Sequence, residues 1–572
     1  MISTSHPSPQ HLGWWRGHHP LVWWITGVAV AFSLAFSILG PFYRAPDERN
    51  HVDMVKYYGS SLGFPDPRMR VPIDPGVLAS TRLVLPPRDS ELGGARPPLS
   101  ADQAQPRHLR PTFQELAETQ GSAANSRSNH LTQHPPFYYV LVSSAGSLAG
   151  AALPQEAWSW DREVWLYRLI SVVLIAPLPV LASTAAGVLD ASPLGRVMAS
   201  AVLLLIPMLS YIGAVVNNDA TMILGAAIAV SAGLVHLKHP SCWSAAVAAG
   251  GAAVAAWSKS TGATLLPWVM LVVFVAAIPA WRAGRRGEAL KCFGLASVIT
   301  LGGAGWHLRN VIRFADPQPT SSQRNVIEDA ETPLGPFLQT WYERVAGTFW
   351  GQPGRRTGVT LADWLVTSLT VAVVLAAAAM VIVAVRRRRH RTVVFLLGML
   401  WIVQVALLLR TTLAHYMRTG RYAAMQGRYL YAALVPLAVL LGLFVVQVVP
   451  RRARAWVVAA AIAAGAAVHL ILARSMLNGF WAGDGVVDRV RSVLAWSPLP
   501  DGVGLVFLAL PLVGIGWMAV AILRTTMRES RVAEVFLGDA MAKGTAPGLT
   551  RQAAVATGVT VVAGALAVGG LG

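Results

Sequence analysis

The residues best suited to chemistry are acids set at the edges of apolar runs. Pro46-Asp47-Glu48-Arg49-Asn50-His51 follows the apolar run from Leu21 to Gly40, and Asn217-Asn218-Asp219 follows the run from Val197 to Val216. Ionisable groups abutting a hydrocarbon-crossing segment are costly and usually employed. Asp47 and Glu48 are adjacent and point about 100° apart on a helix or turn, so only one can aim squarely into a given cleft. His51 shares a helical face with one or the other. A carboxylate so placed can act as a general base, taking the proton from a hydroxyl as it attacks. The plainer readings are an N-cap at Asp47 ahead of a helix from Arg49 to Tyr58, and an interfacial turn at Asn217-Asn218-Asp219. Capping needs an Asp, but neither the Glu nor the His.

A set of cations lies at similar boundaries. Lys259 stands in Trp257-Ser258-Lys259-Ser260-Thr261-Gly262, Arg309 in Trp306-His307-Leu308-Arg309-Asn310, and Arg428 in Gln426-Gly427-Arg428-Tyr429. Snorkelling of a long side chain accounts for each of them singly. Together they favour an anionic ligand such as a phosphate, which arginine binds in a fork geometry. His134-Pro135-Pro136-Phe137-Tyr138-Tyr139 would border the same cavity, with the prolines fixing an extended entry to the next helix.

The elements that must hold these residues are membrane spans. The chain of 572 residues is 54% hydrophobic and 13% charged, with a mean hydropathy of +0.49, which a water-soluble protein could not carry without large apolar patches. Runs long enough to cross a hydrocarbon core recur at Leu21 to Gly40, Val164 to Val188, Val197 to Val216, Ala220 to Leu237, Ser244 to Trp257, Thr261 to Trp281, Cys292 to His307, Leu361 to Val385, Thr392 to Leu409, Tyr429 to Val449, Ala455 to Leu472 and Val503 to Leu523. A last, small-residue run from Ala553 to Leu571 leaves a further span open. The expected fold class is an all-α polytopic membrane protein, a bundle of about 12 to 13 transmembrane helices with a large first loop and interfacial helices. The two cysteines, Cys242 and Cys292, fall at span ends and predict no disulfide framework.

Charge gives orientation. The net charge of +19 is concentrated in short loops, at Arg282 to Arg286, Arg386 to Arg391 and Arg451 to Arg454, so it implies membrane orientation and no nucleic-acid partner. By the positive-inside rule these loops are cytoplasmic, which places 310–360, 411–428, 477–502 and Asn217-Asn218-Asp219 outside. Asp47 and Glu48 join them provided that Pro135 to Leu153 lies flat in the interface. The resulting division is a cytoplasmic terminus 1–20, a first span 21–40, an extracytoplasmic loop 41–163 with interfacial helices, a bundle 164–524 with an outer loop 310–360, and a basic cytoplasmic tail 525–572. The first span reads as an anchor in the plasma membrane, with no convincing cleavage site after Gly40.

The order of these motifs resembles that of GT-C membrane glycosyltransferases: Pro46-Asp47-Glu48-x-x-His51 after the first span, His134-Pro135-Pro136-Phe137-Tyr138-Tyr139, Asn217-Asn218-Asp219-Ala220, Lys259 in Ser258-Lys259-Ser260-Thr261-Gly262, Trp306-x-x-Arg309-Asn310 and Gln426-Gly427-Arg428-Tyr429. The match is closest to a bacterial, actinobacterial-type group of largely uncharacterised members, and more distant to protein O-mannosyltransferases, aminoarabinose transferases and oligosaccharyltransferase catalytic subunits. It covers roughly Leu21 to Val449, and its specificity lies in the order of the motifs.

The resemblance implies transfer of a sugar from a polyprenyl-phosphate donor to a glycan, glycolipid or protein of the cell envelope, with inversion. Asp47 or Glu48 would be the base, with preference for Asp47. Asp219 would orient the acceptor or a metal. Arg428, with Arg309 or Lys259, would stabilise the departing phosphate, and His51, His134 and Tyr429 would line the substrate. An Mg or Ca ion on Asp47 and Asp219 is open, since the sequence has no dense ligand motif. The rival class is a transporter or flippase of a lipid-linked sugar, which should place charges near the bilayer midplane and often shows inverted repeats. A third reading is an assembly subunit that keeps the scaffold without activity. Neither sugar nor acceptor is named by the chain.

Overall fold

The computed structural model describes residues 17–541, apart from 62, 70, 86–95, 121–127, 153, 155–157, 190–191, 321–331, 354–357 and 389. In chain order the helices are α1 (Pro20–Leu39), α2 (Glu48–Ser60), α3 (Pro75–Val84), α4 (Phe113–Gln120), α5 (Phe137–Ala152), α6 (Trp160–Ile175), α7 (Leu178–Leu189), α8 (Pro193–Leu204), α9 (Pro207–Gly213), α10 (Asp219–Lys238), α11 (Cys242–Ser258), α12 (Leu265–Arg282), α13 (Arg286–Gly303), α14 (Gly305–Phe314), α15 (Leu334–Trp350), α16 (Asp363–Arg387), α17 (Arg391–Thr419), α18 (Leu434–Gln447), α19 (Arg454–Phe480), α20 (Val486–Trp496) and α21 (Asp501–Met541). A two-residue antiparallel pair, β1 (Val71–Pro72) with β2 (Ser128–Asn129), closes part of the first long loop.

Among the described residues 9 helices are long and apolar enough to cross a membrane, or up to 11 if two bent pairs each count as one span. The bends have local causes. Pro207 lacks the amide N–H that would carry α8 onward, and α9 leaves at 66°. Gly302, Gly303 and Gly305 weaken the helix where α13 and α14 diverge by 52°. The Ala/Gly-rich run from Ser244 becomes α11, apolar but only 17 residues long. It packs tightly on α10 because a Cβ on Gly225 would stand 2.7 Å from the carbonyl oxygen of Gly251, the close approach that small residues permit between membrane helices. The stretch 135–153 yields α5, of 16 residues and shorter than a span. The run 553–571 lies outside the described residues.

One further expectation changes. Cys242 at the start of α11 is joined in a disulfide to Cys292 of α13, with Cα atoms 4.4 Å apart; the expected absence of a disulfide overlooked that two span ends distant in sequence can pack side by side. The loop 41–163, where interfacial helices are expected, contains α2 to α5. Two anchors hold it to the ends of other helices. Leu99 donates its N–H to the Phe480 carbonyl at 2.9 Å, and the buried Arg110 pairs with Asp161 at 2.5 Å while donating to the Ala495 and Ser497 carbonyls.

The bundle has two chemically different ends. α12 begins just after Lys259 and runs 18 residues to Arg282, about 27 Å away at 1.5 Å per residue. The arginines at the end of α16, before α17 and after α18 are likewise one helix length from Arg428 or from the loops at its end of the bundle.

Candidate functional site

The first turn of α2 separates the two adjacent acids. Glu48 is fully buried and faces Arg168 of α6, whose Nε and Nη2 each donate to one carboxylate oxygen at 2.7 Å. The backbone N–H groups of Tyr43 and Val216 donate to the same carboxylate at 2.8 and 3.1 Å. Arg168 spends its remaining donors on the carbonyls of Ser37 and Gly40, both at 2.7 Å, and of Pro41 at 3.2 Å. This pair therefore bolts the end of α1, the start of α2, α6 and the turn before α10 into one unit, with every strong donor matched.

Asp47 is different. Its backbone is left-handed, φ 60°, and its side chain caps nothing, so the N-cap reading does not describe it. Such a conformation is uncommon outside glycine, though Asp tolerates it. The side chain is 40% exposed and lies 3.7 Å from Nη2 of Arg428 and 4.0 Å from Nε2 of His130.

Arg428 is itself buried and stands between two acids, with Nε 3.5 Å from Oδ2 of Asp219. Gly427 permits its placement: a Cβ there would lie 2.2 Å from the Val345 carbonyl of α15. Asp219, at the first position of α10, is fully buried and takes Nζ of Lys259 on its other oxygen at 2.5 Å. Tyr429 presents its ring to both cations, 4.6 Å from the Lys259 ammonium and 5.8 Å from the Arg428 guanidinium. The turn is held by Tyr138, whose hydroxyl accepts from the Asn217 N–H at 3.0 Å, and by Asn218, which donates to the Ser258 carbonyl at 2.8 Å.

The polar groups here are under-used. Nε and Nη1 of Arg428, Oδ2 of Asp219, Nδ2 of Asn217, Oδ1 of Asn218 and the hydroxyls of Ser260 and Thr261 are buried without a hydrogen-bond partner. Buried polar groups are ordinarily satisfied, so several orphans at one place mark a site built for something polar. His51 and His134 border it: their rings stack with centroids 6.4 Å apart, and Nδ1 of His51 is 3.0 Å from the Tyr139 hydroxyl. Burial holds His134 down to about 3, with Lys259, His130 and Arg428 adding to it. It holds His51 well below the usual histidine range, so both are neutral at physiological pH.

The structure thus brings Asp47, Asp219, Lys259, Arg428 and Tyr429 together, with His51 and His134 alongside. It turns Glu48 away, into the Arg168 clasp. Arg309 is also elsewhere, on an aromatic shelf with its guanidinium 5.3 Å from the Phe64 ring and 5.1 Å from that of Trp306. Arg168 and His130 were not singled out in the sequence. Arg168 had a signal, a charge inside the apolar run Val164 to Val188, which demands a buried partner.

A divalent ion between Asp47 and Asp219 does not suit these residues. The Arg428 guanidinium stands between the two carboxylates, and Lys259 covers the second. Among the described residues no group of three or more His, Cys, Asp or Glu could hold a metal.

Fold and site together define a polytopic helical membrane protein with a buried cluster of two acids and two cations at one end of its bundle. The chain belongs to the DUF2142 family of predicted membrane proteins, whose model matches residues 30–437. No curated protein matches it in sequence. Among solved structures it is similar to ArnT from Cupriavidus metallidurans bound to undecaprenyl phosphate, with 17% identity and a TM-score of 0.33 over 72% of this chain and 74% of that one. The apo form of ArnT gives 15% identity and a TM-score of 0.39 over 87% and 78%. The Archaeoglobus fulgidus oligosaccharyltransferase in the apo form gives 11% and 0.42 over 83% of this chain and 57% of that one.

Proposed function

We propose that this protein is a GT-C-type glycosyltransferase of the plasma membrane, moving a sugar from a polyprenyl-phosphate donor to an acceptor of the cell envelope on the extracytoplasmic side. The observation that carries the reading is the asymmetry of the first outer turn. Asp47 is the half-exposed, uncapped carboxylate beside a buried arginine with unpartnered N–H groups, whereas Glu48 is consumed by the fold. Asp47 acts as the base: it takes the proton of the acceptor hydroxyl while that oxygen attacks the anomeric carbon, and the bond to the phosphate oxygen breaks on the opposite face, inverting the centre. Arg428 donates to the departing phosphate, where negative charge develops, and Lys259 adds a second positive charge nearby. Asp219 holds both cations in place. The donor class rests on the order of motifs resembling GT-C enzymes; the outward orientation rests on the arginine-rich loops at the far end of the bundle.

A transporter is less well supported, because the charged cluster sits at a bundle end. The test is transfer of label from a radiolabelled polyprenyl-phosphate sugar to an envelope extract by the purified chain, with and without excess EDTA. Transfer that persists in the chelator and is lost in Asp47→Asn supports the scheme. Transfer that survives in that variant removes Asp47 from the chemistry, and cytoplasmic labelling of a cysteine introduced at Ser90 overturns the orientation.

A further inference from the structure

Among the described residues a cavity opens away from the cluster of acids and cations. It lies on the other face of α2, between that helix, α5 and the first turns of α6, with a volume of about 540 Å³. That is within the range of small-molecule sites, ~300–1,000 Å³. The helix period explains the arrangement. His51 and Tyr58, seven residues apart, fall on one side of α2 and are buried in the core, while Asp53, Lys56, Tyr57 and Ser60, at spacings of three and four, line the cavity. Facing them, α5 offers Ser143, Gly146, Ser147 and Gly150, a row of small residues that leaves room where larger side chains would fill it.

The chemistry of the walls selects among occupants. Asp53, Asp74 and Glu163 line the cavity against a single cation, Lys56, and that ammonium is committed to Glu163 at 3.3 Å. An anion such as a phosphate would meet a net negative wall. A polyhydroxylated ligand would find carboxylate and hydroxyl acceptors for its O–H groups, and an amino group would gain further. Trp158 adds an aromatic side chain whose indole N–H has no partner. The cavity also runs along the helix that begins at Asp47: Asp53 is six residues on, about 9 Å along the axis.

We propose that this cavity binds a short uncharged or amino-bearing oligosaccharide, as the acceptor side of the reaction above; the inference rests on that reading of Asp47 as the base. The acceptor chain would lie along α2 with its reactive hydroxyl directed toward the N-terminal turn.

Saturation-transfer NMR on the full chain in lipid nanodiscs tests this with three probes: mannotriose, chitotriose and the glucosamine trisaccharide. A Cβ on Gly150 meets nothing within 4 Å, so Gly150→Trp can be accommodated while its indole enters the cavity. The expected result is a signal from at least one trisaccharide that falls roughly tenfold in Gly150→Trp and persists in Gly150→Ala and Asp47→Asn. Binding of radiolabelled undecaprenyl phosphate to the wild type and to Gly150→Trp reports separately on the Arg428 region and on folding. Absence of any trisaccharide signal, a signal indifferent to Gly150→Trp, or its displacement by dodecyl phosphate overturns the proposal. If Arg428-dependent lipid-phosphate binding persists in such a case, the cavity assignment alone fails. If it is lost as well, the reading of the cluster fails with it.

Discussion

Asp47 and Glu48 are neighbours in sequence, and each faces an arginine delivered from another part of the chain. Their environments could hardly differ more. Arg168 meets Glu48 with two hydrogen bonds of 2.7 Å in a fully buried setting, and backbone N–H groups complete the carboxylate. Arg428 stands 3.7 Å from a 40% exposed Asp47, with its own N–H groups only partly used. A saturated pair can fix a fold but offers nothing to a substrate; an unsaturated pair costs stability and keeps donors and acceptors available.

The comparison breaks first on the saturated side. Glu48→Gln leaves Arg168 charged and buried without its counter-ion, which should cost about 3–5 kcal/mol. Thermal unfolding followed by size-exclusion chromatography in detergent should show a large loss of folded protein. The double replacement of Glu48 and Arg168 by methionine should be milder than either single change, since it removes both buried charges together. If Glu48→Gln is as stable as the wild type, the clasp is not structural.

On the unsaturated side the effect should move from stability to rate. Asn tolerates the left-handed backbone at position 47 as Asp does, so Asp47→Asn should change stability by no more than about 0.5 kcal/mol. Sugar transfer should fall by roughly a hundred- to ten-thousandfold, the usual worth of a general base. Measuring unfolding and transfer on one preparation separates the two carboxylates: Glu48 variants lose protein, and Asp47 variants lose turnover.

How much of this was legible in the sequence follows from the same contrast. Apolar runs located most spans, because a bilayer imposes a length and a composition that survive in one dimension. The two kinked spans, at Pro207 and at the Gly302–Gly305 glycines, read as straight because hydropathy carries no direction. Types and spacing singled out Asp47, Asp219, Lys259 and Arg428, since charges beside spans are few. What spacing could not supply was partner choice. The decisive fact about Glu48 is Arg168, 120 residues away, and nothing local to either distinguishes clasp from catalyst. Arg309 went astray for a similar reason: a cation at a span end looks the same whether it faces a phosphate or lies over Trp306.

Asp53, five residues beyond Glu48, is the intermediate case. It is buried like Glu48, but neutral donors take the place of a cation: the Asn129 amide at 2.7 Å and the Asp74 N–H at 2.8 Å. Burial raises its carboxyl to about 6 from 3.8, with the two hydrogen bonds opposing the rise. Below pH 3.8 the group is protonated whether the chain is folded or not, and it costs nothing. Between 3.8 and about 6 the folded state retains a proton that the unfolded state releases, so this contribution to stability is lost as pH rises. The full loss, reached above the folded value, is about 3 kcal/mol at 1.36 kcal/mol per unit. Unfolding measured from pH 4 to 7 should show this decline, and Asp53→Asn should flatten it. An unchanged slope in that variant would mean that Asp53 is not held protonated by its burial.

The smallest effect expected is also the finest probe of the Arg428 side. Lysine keeps the charge but loses the planar fork and has fewer N–H donors. In Arg168→Lys the loss should appear as instability, because five oxygens of the clasp depend on that fork. In Arg428→Lys the partners are at 3.5 and 3.7 Å and no tight hydrogen bond to either acid is broken, so folding should change little. The role proposed for its unpartnered N–H groups lies with the phosphate, and there the fork matters. Donor KM should rise by about tenfold, the worth of one charge-assisted hydrogen bond in the range of 1.5 kcal/mol, with a smaller fall in kcat. A KM unchanged beside a reduced kcat would relocate Arg428 from donor binding to the transition state alone. Unchanged values of both would mean that Lys259 carries the phosphate and that Arg428 serves only to separate the two acids.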